Sequence, residues 1–357
     1  MKTHSFLLIA LLICNTVSAQ GIDEKQYRNL EKAVSRYEKL TSKADWRKLV
    51  LSDKAVLKLN DTSKVILAIK QRLEVLGDLR RGRDRDIYTA RMEAGVKQFQ
   101  LRHGLDDDGV IGPAFMKAIN IPLEKRIEQM TVNMDRIMLD TIDMTGTRII
   151  ANIPEYRLYV YQDNKEMLAM DIVVGKITDP TIVFSDSLEH VVFSPYWNVP
   201  PSIVRNEILP QMSKNSSYLK NNNMEITGTE DGIPKIRQKP GRDNSLGNVK
   251  FIFPNKYNIY FHDTPAKTLF ERKNRAFSHG CIRLSKPFEL AKYLLKDQSE
   301  WSDITIKNAM NAGTEKWAKL TKSIPVSIIY YTAWIDKSGL VNFRDDIYGH
   351  DQEQGSF

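Results

Sequence analysis

The sequence predicts a multidomain α+β protein, helical in its first part and mainly β in its second. A change of pattern carries that reading. Up to about residue 146 apolar side chains recur every third or fourth position, the spacing of one helix face, whereas from Arg148 Val, Ile and Tyr run at a period of two. Length agrees, because 357 residues exceed what one small core needs and divide into two folded units and a connecting segment.

The chain opens on "MKTHSFLLIALLICNTVSAQG", in which Lys2 precedes an apolar run from Phe6 to Ile13 and small residues at Val17, Ser18 and Ala19. Residues 1–19 therefore read as a secretory signal peptide cleaved after Ala19, its apolar run too short to span a bilayer. Lipid attachment at Cys14 is disfavoured by the bulky Ile13 before it. Residues 20–60 are charged and helix-favouring, with Leu30, Val34, Tyr37 and Leu40 along one face, and read as a helical scaffold.

Residues 61–121 read as a module of three short helices. In "SKVILAIKQRLEVLGDL", Val65, Ile66, Ile69, Leu73 and Leu76 line one face and Gly77 stops the helix. "YTARMEAGVKQFQLRHGL" sets Met92, Val96 and Phe99 before Gly104, and "DDDGVIGPAFMKAIN" adds a turn and a third helix. Asp106, Asp107 and Asp108 belong to a solvated turn, since their spacing is not that of an EF-hand loop. Residues 122–146 return to the helical scaffold.

Residues 147–335 carry the strands "RIIANIP", "RLYVYQD", "EMLAMDIVVGK", "HVVFSPYWNVP", "VKFIFP" and "NIYFHD", a helix at "KPFELAKYLLKD", and a closing "PVSIIYYTAWID". A less apolar, Asn- and Lys-rich insertion at 201–239 interrupts them and reads as a lid. Residues 336–357 are taken as a C-terminal tail.

Charge and cysteine usage narrow the function. The formal net charge of +8 falls to +7 when Lys2 leaves with the signal, a balance that draws a protein to polyanions. Nucleic acid fits poorly, because an exported chain with dispersed basic residues lacks the basic and aromatic stripes of such binders; an acidic cell-envelope polymer fits the compartment, and plain solubility is the bland alternative. No later segment has the length and apolarity of a transmembrane helix, so the mature chain reads as a soluble or peripheral monomer of the periplasm or envelope.

Cleavage leaves Cys281 as the sole thiol, unable to form an internal disulfide; it is a buried core residue, an intermolecular link or a nucleophile. Of six histidines, only His262 and His279 lie near it in sequence. His262 ends the strand "NIYFH", and the intervening "DTPAKTLFERKNRAF" is long enough to loop out and bring Cys281 back alongside. Gly280 leaves room for a substrate backbone and can aim main-chain N–H groups at a developing oxyanion, while Arg283 places a fixed charge near the thiol. Ser278, His279, Cys281 and Arg283 fall within six residues and are costly to bury together, which favours the nucleophile. No zinc site is expected, for there is no HExxH and no ligand spacing, and no cofactor is called for.

"FHDTP" followed after a spacer by "SHGCIRL" resembles the signature of the L,D-transpeptidases, with their YkuD-type catalytic domain. "FSDSLEHVVFSPYWNVPPSI", "PGRDNSLGNVKFIFPN" and "YYTAWID" are similar to the larger branch of that family, and residues 63–120 resemble its three-helix peptidoglycan-binding module. The resemblance implies a sandwich-like β domain with a capping insertion, with His262 as general base, Cys281 as nucleophile, and Ser278, His279, Gly280 and Arg283 lining the site. It orients the base through a backbone carbonyl, so Asp263 receives no triad role. Tyr260 and Trp197 are further pocket candidates, with core packing as their alternative. The implied reaction is thioester-mediated 3→3 cross-linking of peptidoglycan stem peptides with loss of D-Ala. A hydrolytic carboxypeptidase or endopeptidase and a non-catalytic wall-binding protein are the alternatives.

Overall fold

The computed structural model describes residues 24–42, 46–51, 54–82, 85–140 and 145–354. The signal-peptide reading and Cys14 lie outside them. Helix α1 (Glu24–Thr41) buries Leu30, Ala33 and Tyr37 against α5 (Leu123–Leu139), the return segment. Between them lie α2 (Val65–Leu76), α3 (Ala90–Arg102) and α4 (Pro113–Ile119), where the periodicity places them. Gly77 ends α2 at φ +93°, a left-handed stop that L side chains adopt only with strain, and Thr89 caps α3 by accepting the Met92 N–H.

The helical reading of residues 20–60 holds only as far as Thr41. Residues 46–51 and 54–60 form no helix and are fixed by tertiary partners: Trp46 Nε1 donates to the Ile121 carbonyl at 2.8 Å, the Asn120 side chain bonds both backbone groups of Leu49, and Leu57 bridges Ile111. These contacts satisfy backbone groups that a helix would have paired internally.

The second part is mainly β. Strands β1 (Thr147–Asn152), β2 (Arg157–Gln162), β3 (Lys165–Gly175) and β4 (Phe184–Phe193) come first. The 197–238 segment follows with β5 (Trp197–Asn198), α6 (Pro201–Ile203), a π turn at Val204–Ile208, α7 (Leu209–Lys214), α8 (Tyr218–Asn221), β6 (Met224–Glu230) and β7 (Ile233–Gln238). Then come β8 (Val249–Ile252), β9 (Phe261–His262), β10 (Ala276–Ser278), β11 (Ile282–Leu284), α9 (Pro287–Leu294), α10 (Asp303–Met310) and β12 (Lys316–Ile329).

The main sheet runs β10-β3-β11-β9-β8-β4-β12-β1-β2, and β2 pairs β3 as well, so the sheet returns on itself. Phe193, Phe251, Phe253, Phe261, Ile282 and Leu284 pack in the enclosed core, with α9 and α10 contributing Leu290 and Ile306. Strand β12 lies inside the sheet, between β4 and β1, rather than at its edge. Strands β5 to β7 form a separate small sheet with its own apolar cluster around Val204, Ile208 and Ile236.

The C-terminal tail is a misreading. Strand β13 (Ala333–Ile335) turns at Asp336–Gly339 into β14 (Val341–Phe343), and Ile335, Val341 and Phe343 are buried in the helical core, far back along the chain. Arg102, paired with buried Asp78 at 2.5 Å, also donates to the Val341 carbonyl at 2.8 Å. Removing one partner of such a buried pair costs about 3–5 kcal/mol, and the guanidinium it fixes ties the hairpin to α3 through the Val341 carbonyl. Residues 345–349 and α11 (His350–Gln354) then run back along α5, where Asp351 meets Arg136 at 2.7 Å.

Candidate active site

Parallel pairing of β9 with β11 sets Phe261 beside Ile282 and His262 beside Arg283. Phe261 and Ile282 are the inward pair and are fully buried. Alternation then turns His262 of β9 and Arg283 of β11, with Tyr260 and Cys281 immediately before those strands, to the opposite face. The spacer between His262 and Cys281 loops out and returns, and the burial of Phe261 and Ile282 sets the four candidate side chains on one face.

His262 is buried, and its Nδ1 lies 2.5 Å from the carbonyl oxygen of Asp263. Burial first, and the Arg283 charge second, push its pKa down to about 3 against the opposing pull of the Asp263 and Leu246 carbonyls. The imidazole is neutral at pH 7. Asp263 is fully engaged elsewhere: one carboxylate oxygen accepts from Asn248 N–H at 2.9 Å, the other from Thr264 N–H at 2.7 Å and from Lys267. It supports the turn and does not reach the imidazole edge.

Cys281 is partly exposed, and its Sγ lies 3.7 Å from the carbonyl oxygen of Asn258. Desolvation raises the thiol pKa, while the backbone and hydroxyl of Tyr260 and the charge of Arg283 draw it back down. Tyr260 sits 5.8 Å from the His262 ring, centroid to centroid, and burial pushes its own hydroxyl well above the usual range. It is thus a donor facing the thiol. Asn258 takes φ +54°, and the 255–259 turn that carries it is closed by the Asn255 side chain, which accepts from the N–H groups of Tyr257 and Ile259 and donates to two carbonyls.

The turn bearing Cys281 is pinned from several sides. Ser278 is buried and donates to the Cys281 carbonyl while accepting the Gly280 N–H at 3.2 Å, so its hydroxyl is used within the turn rather than offered to a ligand. Gly280 takes φ +103°, a conformation that an L side chain would strain. Its N–H is spent on Ser278, whereas the N–H groups of His279 and Cys281 have no hydrogen-bond partner among the described residues. His279 points the other way, its Nε2 2.6 Å from Glu207 in the π turn of the 197–238 segment. Trp197 packs against that segment's apolar cluster.

Sequence reasoning missed Thr181, Tyr348, Asn258 and Glu207. The bonds from Thr181 to Gly280 and to Tyr348, and from His279 to Glu207, join residues 99, 167 and 72 positions apart, beyond the reach of any local pattern. Among the described residues no group of three or more His, Cys, Asp or Glu is placed to hold a metal ion, and no helix is long and apolar enough to cross a membrane.

Residues 146–316 match the YkuD family, described as the L,D-transpeptidase catalytic domain, and residues 62–119 match the family described as "Putative peptidoglycan binding domain". A Haemophilus influenzae protein named "Putative L,D-transpeptidase" is 36% identical over 222 residues, covering 57% of this chain. The match spans 45% of that relative's length. Solved structures with similarity include an L,D-transpeptidase from Mycobacterium smegmatis (16% identity, 52% of this chain and 58% of that one, TM-score 0.28). Another comes from Stackebrandtia nassauensis (12% identity, 78% and 97%, TM-score 0.31).

Proposed function

We propose that this chain, whose residues 146–316 match the YkuD family of L,D-transpeptidase catalytic domains, cross-links peptidoglycan stem peptides outside the cytoplasm. Cys281 Sγ attacks the carbonyl of the third residue of a donor tetrapeptide, typically meso-diaminopimelate, and the terminal D-Ala leaves as its amine. His262 takes the thiol proton as the S–C bond forms and passes it to that amine when the C–N bond breaks. The side-chain amine of an acceptor stem then attacks the thioester, His262 removes its proton, and Cys281 leaves with a 3→3 link made.

One observation carries this reading: a neutral, backbone-anchored imidazole and a thiol share one face of two paired strands. An imidazole with a pKa near 3 does not hold the thiol as a resting ion pair. It acts as a base during attack, aided by the Tyr260 donor and the Arg283 charge. The Cys281 N–H is available to the developing oxyanion. The 201–239 region, joined to the Cys281 turn by Glu207 and His279, caps the acyl-enzyme, and the module at 62–119 holds the domain to the wall polymer.

The test is product analysis after incubation with disaccharide tetrapeptide. A 3→3 dimer that disappears with Cys281→Ala supports cross-linking. Tripeptide without dimer would show that water resolves the thioester, and unreacted substrate with retained wall binding would leave a binding protein.

A further inference from the structure

We propose that Thr181, seated by Tyr348, is a positioning residue that aims the Cys281 N–H. This rests on the acyl-transfer reading above and concerns a part of the molecule that reading does not use. Thr181 is 1% exposed and lies at the end of the turn that follows β3. Its hydroxyl accepts the Gly175 N–H at 2.9 Å and donates to the Gly280 carbonyl at 2.8 Å. The peptide joining Gly280 to Cys281 is planar and trans, so fixing its oxygen directs the Cys281 N–H the opposite way. That N–H has no hydrogen-bond partner among the described residues.

Thr181 is itself held from the far end of the chain. Tyr348 Oη accepts the Thr181 N–H at 3.2 Å and donates to the Gly175 carbonyl at 2.6 Å. The Tyr348 N–H in turn donates to Tyr330 Oη, at 2.8 Å, and Asp346 accepts from Tyr330 Oη and from the N–H groups of Gly349, His350 and Asp351. The 175–181 turn has no slack: a Cβ on Gly175 would lie 2.2 Å from the Asp179 carbonyl oxygen and 2.7 Å from Thr181 N. A chain of bonds therefore runs from the 346–351 segment to the peptide that carries the thiol.

The two chemistries of Cys281 separate this role from general support. Acylation by a carbonyl donor builds an oxyanion that needs the N–H, whereas alkylation by iodoacetamide builds none. Thr181→Val keeps shape and removes the hydroxyl. In the full chain it is expected to slow acylation by donor tetrapeptide or a carbapenem about 10- to 100-fold, mainly in kcat, below the loss for a whole oxyanion donor. Alkylation should stay within about twofold of the unmodified chain, Thr181→Ser should recover most of the acylation, and Tyr348→Phe should show a smaller loss of the same kind. Acylation by Thr181→Val at the unmodified rate would overturn the inference, as would equal loss of both reactions. A native chain that is alkylated yet never acylated would instead overturn the acyl-transfer reading beneath it.

Discussion

The two histidines that precede Cys281 most nearly in sequence occupy opposite kinds of environment. His262 is buried at the end of a central strand, anchored by a backbone carbonyl and held neutral. His279 lies in the turn, about one third exposed, and is paired with a carboxylate from another part of the fold. Nearness along the chain would rank His279 first. What separates them is strand register, which sets His262 diagonally across from Cys281, while Gly280 and its positive φ swing His279 toward the 197–238 segment.

That contrast can be broken in order of size. His262→Gln should cost about 10²- to 10⁴-fold in acylation, the usual range for a lost general base, while iodoacetamide still labels Cys281. If acylation survived this change and fell instead in His279→Gln, the roles would be reversed. Next in size is the pH profile of acylation. A folded pKa near 3 keeps His262 neutral, and competent as a base, well below its ordinary 6.5, so the rate should stay level from about pH 8 down to about pH 5. A tenfold fall with a midpoint near 6.5 would show that the imidazole is solvated and ionises freely.

The same shift has a stability consequence of known sign. Because the folded pKa is depressed, protonation of the unfolded chain below about 6.5 is not matched in the native state, so His262 reduces stability as pH falls from there toward 3. His262→Gln should therefore narrow the drop in Tm between pH 7 and pH 5, and an unchanged or widened drop would count against a buried neutral ring. The smallest effect belongs to the exposed pair. Glu207→Gln should change stability by no more than about 1 kcal/mol and acylation only a few-fold, measured by melting and by the acylation rate.

Legibility followed the range of the contacts. Helices α2 to α4 and the strands from Arg148 could be read locally because period and stop residues such as Gly77 lie within a dozen positions. His262 and Cys281 could be paired because one loop separates them. The 46–60 stretch misled because Trp46 and Leu49 have helix-compatible neighbours, yet their partners are Ile121 and Asn120. The hairpin at 333–343 reads in sequence as the end of the β domain followed by a tail from residue 336, because its strands are three residues long, too short for alternation to register, and their burial depends on α1, α3 and α5. Thr181 carried no signal at all: an isolated threonine after an Asp-Pro turn looks like loop until Gly280 is seen beside it.

The most direct measurement is intact-mass spectrometry of the chain quenched during reaction with donor tetrapeptide, with the modified residue located by peptide mapping. A covalent adduct equal to the donor less D-Ala, on Cys281 and absent in Cys281→Ala, is the predicted result. Cross-linked product formed without any adduct on Cys281, or formed equally by Cys281→Ala, would contradict it.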